Sequence, residues 1–406
     1  MVVYTDFIGS GTGSSTGIGR VADYANIGMW YGASGDGAVV FDNGDEVRAI
    51  LQTSVENHDG YHDFDIDQTS PICWTEDKDI IITFSSTHPT GSGTPDGWLR
   101  VATGAEIENA SSSKVWNFKD LDIVWNNFGG IKVNYDLTAD ASSSRTVLNF
   151  DRCKLVSPSS TGANNMFSVG SNVAAISGIH EFNFTNCYIS PDRKIVNTAN
   201  GFETNTNYVI CNVVGCSILG GDVNGSVQSW FAPSTRSTAN YELHVSGSLF
   251  HYFPTTPGQY AGVVENPHTG AGWTSGTAVD YITNEPQVVV EAWADTRTNV
   301  SSAATFVYGV APGANEVGFA GATIGNNPFD FYTRDSRLWE STNNIASGFV
   351  SNVTLPSPDL AGNSRGTSPF DAGAFEIVSV AADPGGGGGA TNTSPTFKMV
   401  QVNLYN

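Results

Sequence analysis

Five segments in the middle of the chain can be aligned so that their apolar residues fall into four columns. Within each half of a segment the apolar positions are two residues apart, which is the period of a β-strand. Two residues between the halves, mostly polar or glycine, interrupt the pattern and favour a bend. Each segment therefore predicts a strand, a bend and a second strand. The segments are 116–125, 148–157, 182–191, 211–220 and 243–252.

The aligned segments recur at intervals of about 30 residues, within the range of a repeated supersecondary unit. No helical period appears between them, so the repeat predicts an all-β solenoid. We interpret it as a parallel β-helix, in which each coil buries the faces of its neighbours. The side chains predicted to stack in its core are Phe118, Phe150, Phe184, Leu121, Cys153, Cys187 and Cys216.

One polar column runs between the first two apolar columns. Side-chain amides at one position of stacked strands hydrogen-bond to each other along the stacking axis. The column therefore predicts an asparagine ladder formed by Asn117, Asn149, Asn183 and Asn212.

The cysteines are expected to be structural. Three of the five cysteines stand in one inward column, where a buried thiol behaves as a small apolar side chain. Their spacing gives neither a disulfide framework nor a CxxC metal pattern.

Charge and hydropathy exclude several partners. The formal net charge of −22 argues against neutralisation of phosphate groups, so no nucleic-acid partner is expected. No run approaches the 18 apolar residues of a membrane span, and no membrane partner is expected. The first residues also lack a basic segment followed by an apolar one, so no Sec-type export signal is predicted.

The N-terminal region, residues 1–50, is predicted to cap the first coil. It contains one short amphipathic helical pattern, with Asp23 as the expected N-cap residue. The residues expected to face inward are Tyr24, Ile27, Trp30 and Tyr31. A helix in this place would block an otherwise open sheet edge.

The remaining regions follow from composition and periodicity. Residues 51–377 form the predicted β-helix, and 254–345 are interpreted as irregular coils or an inserted subdomain. Residues 378–390 include five consecutive glycines and form a flexible linker. Residues 391–406 alternate approximately like a strand without a local partner, which predicts docking on another subunit or another protein. The docking side chains would be Phe397, Met399, Val402 and Leu404.

Two stretches resemble a known family. IGSGTG, ADYANIGMWYGA and GDEVRAIL near the N-terminus, with PDLAGNSR and FDAGAFE near the C-terminus, are similar to right-handed parallel β-helix proteins of the pectin-lyase-like superfamily. The likeness is to the type common in bacteriophage and marine viral sequences. It implies a right-handed β-helix whose closing signature locks the final coil. Asp359 or Asp371 is expected to pair with Arg365, while Gly362 and Gly373 permit tight turns. The signature residues are Asp359, Arg365, Asp371, Gly373 and Glu376.

No catalytic residues are predicted. The polygalacturonase and pectate-lyase motifs of the superfamily are absent, which puts carbohydrate cleavage in doubt. Asp63, Asp65 and Asp67 project from one face of a predicted strand and would bind Ca²⁺ if a loop added further oxygens. A solvated outer face is the simpler interpretation of the same alternation. The sequence therefore predicts no cofactor, with Ca²⁺ as the alternative.

The preferred function is that of a phage virion structural protein: a capsid decoration, a head fibre or a tail spike. It would be assembled in the host cytoplasm, exposed on the particle and able to contact host surface glycans, with other virion proteins or its own copies as partners. The resemblance implies a homo-oligomer, with a trimer as one form. The alternative is an extracellular or cell-surface enzyme or adhesin, either a polysaccharide lyase, a glycoside hydrolase or a glycan binder. For that alternative, the aromatic side chains expected to stack on sugars are Tyr188, Trp230, Trp273 and Trp293.

Overall fold

Parallel β-sheets make up almost all of the regular structure of the chain, which is known from a computed structural model. Within the described residues, sheets A, B and C contain 10, 9 and 6 strands. The all-β class predicted from the sequence is confirmed. The structure describes residues 1–9, 18–31, 39–52, 62–64, 78–86, 98–101, 105–109, 114–125, 131–135, 145–157, 165–169, 179–191, 194–198, 208–220, 229–232, 240–252, 262–264, 279–281, 287–291, 305–308, 355–360, 362–365 and 373–374.

Strands are numbered in chain order, and neighbours in a sheet come from different parts of the chain. In spatial order, sheet A contains β2 (Asp23–Tyr24), β1 (Val3–Ile8), β3 (Glu46–Leu51), β5 (Ile80–Ser86), β8 (Lys114–Lys119), β11 (Arg145–Asp151), β14 (Ile179–Thr185), β17 (Tyr208–Val214), β20 (Asn240–Ser246) and β23 (Val279–Tyr281). Sheet B contains β4 (His62–Phe64), β6 (Trp98–Val101), β9 (Asp122–Trp125), β12 (Lys154–Val156), β15 (Tyr188–Ser190), β18 (Ser217–Gly220), β21 (Leu249–Tyr252), β24 (Gln287–Glu291) and β25 (Thr305–Tyr308). Sheet C contains β7 (Glu106–Asn109), β10 (Ile131–Tyr135), β13 (Asn165–Val169), β16 (Lys194–Thr198), β19 (Ser229–Ala232) and β22 (Gly262–Val264).

The chain visits the three sheets in rotation. From β5 to β22 it passes through A, B and C six times in succession, and we call each passage a unit. Each strand pairs in parallel with its counterpart in the next unit, as β8 does with β11 and β9 with β12. Sheet C was not predicted, because the aligned segments covered only the strands of sheets A and B.

The predicted core columns are in register. Phe118, Phe150 and Phe184 are direct partners across sheet A, and their rings stack with centroids 4.9 and 5.3 Å apart. Phe84 extends the row at 5.6 Å from Phe118. Leu121, with the cysteines that follow it in the same column, is fully buried. The offset apolar stacking of rings in one row reinforces the parallel register at each unit.

The N-terminal region contains both strands and a helix. β1 pairs with β3, so sheet A already begins at Val3. The helix α1 (Ile27–Tyr31) buries Ile27 and Trp30. Its N-cap is Asn26, whose Oδ1 accepts a hydrogen bond from Met29 N at 2.7 Å. The prediction of Asp23 as N-cap is wrong, because Asp23 lies in β2 and pairs with β1.

Asp6 of β1 binds the loop before β2 and helix α1 to sheet A through hydrogen bonds. The buried carboxylate accepts hydrogen bonds from Gly19 N at 2.7 Å and from Trp30 Nε1 at 2.8 Å. A third bond comes from Ala22 N at 3.3 Å. A buried carboxylate with several donors is a strong local anchor. The loop before β2 and helix α1 are therefore both held by one side chain.

Strands β22, β23, β24 and β25 lie within 254–345 and extend the three sheets. The predicted linker, 378–390, and the predicted docking strand, 391–406, lie outside the described residues. In the part of the chain that is described, no helix has the length and apolar character needed to cross a membrane.

Candidate functional site

The five units that begin at β8, β11, β14, β17 and β20 each turn from sheet A into sheet B at a residue with a left-handed backbone conformation. This region favours glycine and tolerates asparagine and aspartate, because most side chains crowd the backbone there. An arginine in the same conformation is unusual and needs side-chain support. We call these residues the bend column: Asp120 (φ 56°), Arg152 (φ 51°), Asn186 (φ 50°), Gly215 (φ 60°) and Gly247 (φ 54°).

Support for Arg152 comes from the preceding unit. Its guanidinium donates from Nε and Nη2 to the two carboxylate oxygens of Asp120, at 2.7 and 3.0 Å. Its Nη1 lies 3.0 Å from Asp151 Oδ2. Burial raises the pKa of the Asp151 carboxyl, although Arg152 opposes that shift. A bidentate pair of this kind fixes both direction and distance, so it ties two neighbouring bends together.

After the four bends from Arg152 onward, the next residue points inward and its side chain hydrogen-bonds to the preceding unit. Cys216 Sγ donates to Phe184 O at 3.3 Å and accepts from Cys187 N at 3.4 Å. Ser248, next in the column, accepts from Cys216 N at 3.0 Å. These side chains supply hydrogen bonds at the bends between neighbouring strands. The thiols are buried, as expected, and they hydrogen-bond to backbone groups of the preceding unit as well. The matching donations are Cys153 Sγ to Phe118 O at 3.2 Å, Cys187 Sγ to Phe150 O at 3.3 Å and Ser248 Oγ to Val213 O at 3.2 Å.

Replacing Cys216 by valine and by serine separates packing from hydrogen bonding. Valine fills a similar volume but leaves the Phe184 carbonyl and the Cys187 amide without this partner, so we expect a loss of about 2–4 kcal/mol in the free energy of unfolding. Serine keeps both bonds, as Ser248 does, and should cost less than about 1 kcal/mol. Denaturant unfolding of both variants measures the difference. Equal stabilities would mean that the thiol contributes packing alone.

A second column runs along the outward side of sheet B. Asp122, Lys154, Tyr188 and Ser217 are successive register partners. Lys154 Nζ lies 3.8 Å from Asp122 Oδ1, and the lysine is buried. Tyr188 is also buried, and burial raises the pKa of its hydroxyl.

The prediction that Tyr188 is an exposed sugar-stacking aromatic is wrong. Its neighbour in the column, Ser217, is covered: Ser217 Oγ accepts a hydrogen bond from Ala374 N at 2.9 Å. A residue on the outward side of a sheet becomes buried when another segment packs over it. The side chains of Trp230, Trp273 and Trp293 lie outside the described part of the chain.

The covering segment is the predicted closing signature, and we call its described residues within 355–374 the strap. Asn186 is its main anchor: Nδ2 donates to Pro356 O and Pro358 O, both at 2.8 Å. Asn186 Oδ1 accepts from Arg365 Nη2 at 3.1 Å. One bend residue thus contacts three residues of the strap.

Two glycines of the bend column give the strap room. A Cβ on Gly247 would lie 2.5 Å from Leu355 Cδ2, and one on Gly215 would lie 2.7 Å from Asn186 Oδ1. Gly373 N also donates to Gly247 O at 2.8 Å. Glycine favours the left-handed backbone at both bends, and at Gly247 it also leaves room for Leu355 of the strap.

The strap corrects the predicted lock on the final coil. It lies against the bends between β14 and β15, β17 and β18, and β20 and β21, all of which precede β23. Gly362 and Gly373 have φ of 84° and 104°, as expected for tight turns. Asp359 accepts from Asn363 N at 2.6 Å, and Arg365 Nη2 donates to Gly373 O at 2.7 Å.

Other parts of the signature stay predictions. Asp371 and Glu376 lie outside the described residues, so their part in the signature stays a prediction. The ion pair of Arg365 with Asp359 or Asp371 also stays a prediction.

The asparagine ladder lies on the outward face of sheet A. Asn149 Nδ2 donates to Asn117 Oδ1 at 2.8 Å, and Asn183 Nδ2 to Asn149 Oδ1 at 2.7 Å. Asn212 continues the row with a bond of 2.6 Å to Asn183. At the other end Asn117 donates to Thr83 Oγ1 at 3.1 Å. The alignment missed Thr83 because its first segment began at residue 116.

The proposed Ca²⁺ ligands are only partly described. Asp63 accepts a bidentate pair of bonds from Arg100 of the neighbouring strand, at 2.6 and 2.8 Å. Asp65 and Asp67 lie outside the described residues. Where the chain is described, no group of three or more His, Cys, Asp or Glu side chains is placed to hold a metal ion. The docking residues Phe397, Met399, Val402 and Leu404 are likewise outside the described residues.

Sequence reasoning missed a polar column inside sheet A. Lys114, Thr146 and His180 are register partners and all are buried. Lys114 Nζ donates to Lys78 O. Burial lowers the pKa of His180 to about 3. These residues stand two positions before the first apolar column, so the strand period would have placed them inward.

The described polar groups of the bends thus hold units and strap together. Comparison with protein families, with curated proteins and with solved structures finds no match to this chain. The chemistry of the bends is therefore interpreted from its own geometry: buried thiols, a bidentate ion pair and an amide anchor, all used in bonds between chain segments.

Proposed function

We propose that sheets A, B and C are the three faces of a right-handed parallel β-helix, and that α1 caps its first coil. The rotation of the chain through the sheets and the parallel pairing of successive units support this architecture. The burial of Trp30 against Phe84, with ring centroids 5.2 Å apart, supports the capping role of α1. The handedness follows the rule for parallel crossovers and the family resemblance.

We infer that this β-helix is an exposed structural protein of a virus particle: a capsid decoration, a head fibre or a tail spike. The observation that carries the inference is the unbroken ladder from Thr83 to Asn212. It joins neighbouring strands by side-chain bonds in addition to backbone pairing, which makes the stack stiff. Ten stacked strands give a rod of about 43 Å at the usual strand spacing.

Other polar side chains also stiffen the stack by joining neighbouring chain segments. The Asp120–Arg152 and Asp63–Arg100 pairs each join two neighbouring strands or bends. Asp6 and Asn186 each bind several backbone groups of other segments. Side chains committed to such bonds suit a stiff structural rod better than a catalytic cleft.

Attachment to the particle is assigned to residues 391–406, through strand addition to another virion protein or another copy. The glycine linker, 378–390, would let this strand reach its partner while the rod projects outward. Assembly would take place in the host cytoplasm, and the finished protein would reside on the virion.

The test uses particles of the virus that encodes the chain. Mass spectrometry and immunogold labelling should find the full-length protein on the particle surface. A chain lacking 378–406 should keep its far-UV circular dichroism and melting temperature but be absent from the particles. Particles that lack the full-length protein, or that incorporate the truncated chain equally well, would contradict the proposal.

A further inference from the structure

We propose that the outward face of sheet A is a self-association surface, on which a second copy of this chain packs face to face. In the described part, β1, β3, β5, β8, β11, β14 and β17 present alternate side chains on this face. Its centre is the row from Thr83 to Asn212. This inference is independent of the proposed place on a virus particle.

Over the seven strands from β1 to β17 this face is electrically neutral, although the chain is not. The whole chain has a formal charge of −22, so two copies repel each other over most of their surfaces. On this face the described cations and anions are equal in number, and each cation has an anion beside it. Arg48 pairs with Glu46 at 2.9 Å, Arg145 pairs with Glu181, and Lys119 is the register partner of Asp151. Two copies can therefore meet at this face without the repulsion that opposes contact elsewhere.

An aliphatic column runs beside the ladder on the same face. Ile81, Val115 and Val147 are successive register partners, and all three are only partly buried. Ile210 extends the column beyond Glu181. Partly exposed β-branched side chains in a row offer apolar area that a partner would remove from water.

The amides of the ladder make the face complementary to itself. A primary amide both donates and accepts, so an Asn row can bond to the same row of another copy. A two-fold axis lying in the face, across the columns, places ladder on ladder and aliphatic column on aliphatic column. Seven strands by three outward residues cover roughly 600 Å² in projection, close to the ~800 Å² per partner of a stable interface. A second copy is thus the partner whose charge, chemistry and size fit.

The test is sedimentation velocity of the full chain, with a substitution at the centre of the face and a matched one outside it. Val147→Asp adds a charge to the aliphatic column, while Val40→Asp adds the same charge at a valine that is 77% exposed in the N-terminal region. The wild type and V40D should sediment as dimers. V147D should associate at least ~10-fold more weakly, since an unpaired charge would be desolvated in the interface. Far-UV circular dichroism should be the same for all three.

Arg48→Glu provides a second variant should V147D fail to fold, because Arg48 is exposed and its replacement gives the neutral face a net negative charge. R48E should likewise associate at least ~10-fold more weakly than the wild type. A wild-type chain that stays monomeric at the highest concentration overturns the proposal. So does a dimer that survives in R48E and in folded V147D, because its contacts would then lie on another surface.

Discussion

The stability of the fold should fall steeply between pH 6.5 and about 3, and the variant His180→Val should remove much of that fall. His180 is buried inside sheet A, and burial lowers its pKa from 6.5 to about 3. In the unfolded chain the imidazole binds a proton in this window, whereas in the folded chain it does not. The unfolded state is therefore favoured as the pH falls, by up to roughly 4 kcal/mol in total.

Valine is the matched replacement, because Val209 occupies the same register position in the next unit. Denaturant unfolding of wild type and H180V at several pH values measures the difference. Plotted against pH, the free energies of unfolding of the two proteins should run parallel above pH 6.5. Below pH 6.5 the free energy of H180V should fall less than that of the wild type. Thr185→Val, on the outward face of the same strand, should leave the pH dependence unchanged. Parallel curves for wild type and H180V would show that His180 is not buried in its neutral form.

Asn186→Gly should release the strap and cost about 3–5 kcal/mol in the free energy of unfolding. Glycine tolerates the left-handed bend, as Gly215 does in the next unit, so the backbone itself is not strained. What is lost is the bonds to Pro356 O, Pro358 O and the Arg365 guanidinium. The buried arginine would then lack one of its acceptors, which raises the cost above that of neutral bonds.

Hydrogen exchange measured by mass spectrometry locates the effect. Peptides that contain 355–360 should exchange much faster in the variant, while peptides from β3 and β5, far from the strap, should not change. Asn186→Asp provides a second comparison: it keeps an acceptor for Arg365 but sets a carboxylate against two carbonyl oxygens. It should release the strap as well. Unchanged protection of the strap in both variants would mean that Asn186 is not its anchor.

The sequence predicted sheets A and B well because their inward positions repeat strictly. Phe118, Phe150 and Phe184 occur at the same place in three units, and the position two residues before each of them is also apolar. A slip of one residue would turn these side chains to solvent, so the register can be read from the pattern alone.

Sheet C does not have that regularity. Met166 and Phe167 in β13 are both buried, and so are Ile195 and Val196 in β16. Adjacent buried residues break the strand period of two, so alternation gives no signal there. The lengths of the intervening segments also differ between units, which blurs an alignment made on sheets A and B.

The contacts of the strap could not be predicted from the sequence for another reason. Its bonds to the bends join residues 126 to 179 positions apart in the chain, and local periodicity carries no information on such pairs. The same limit applies to the thiols: the pattern places Cys216 inward but does not reveal that it bonds to the Phe184 carbonyl. The strand period predicts which side of the sheet a side chain lies on. Its hydrogen-bond partners depend on which atoms the fold brings together.

Distances between spin labels along one outward column of sheet A test the stacking of units most directly. Each doubly labelled chain carries one label at Thr5 and the other at Asn149, Asn183 or Asn212. These positions share one register column, and they lie four, five and six strands away from Thr5. The other four cysteines are buried, so only the fifth, Cys73, is replaced by serine before labelling. Double electron–electron resonance should then give separations near ~19, ~24 and ~29 Å at the usual strand spacing. A rise of one strand spacing per unit is the result that a parallel stack predicts. Separations that do not increase in this order, or that are broadly scattered, would contradict it.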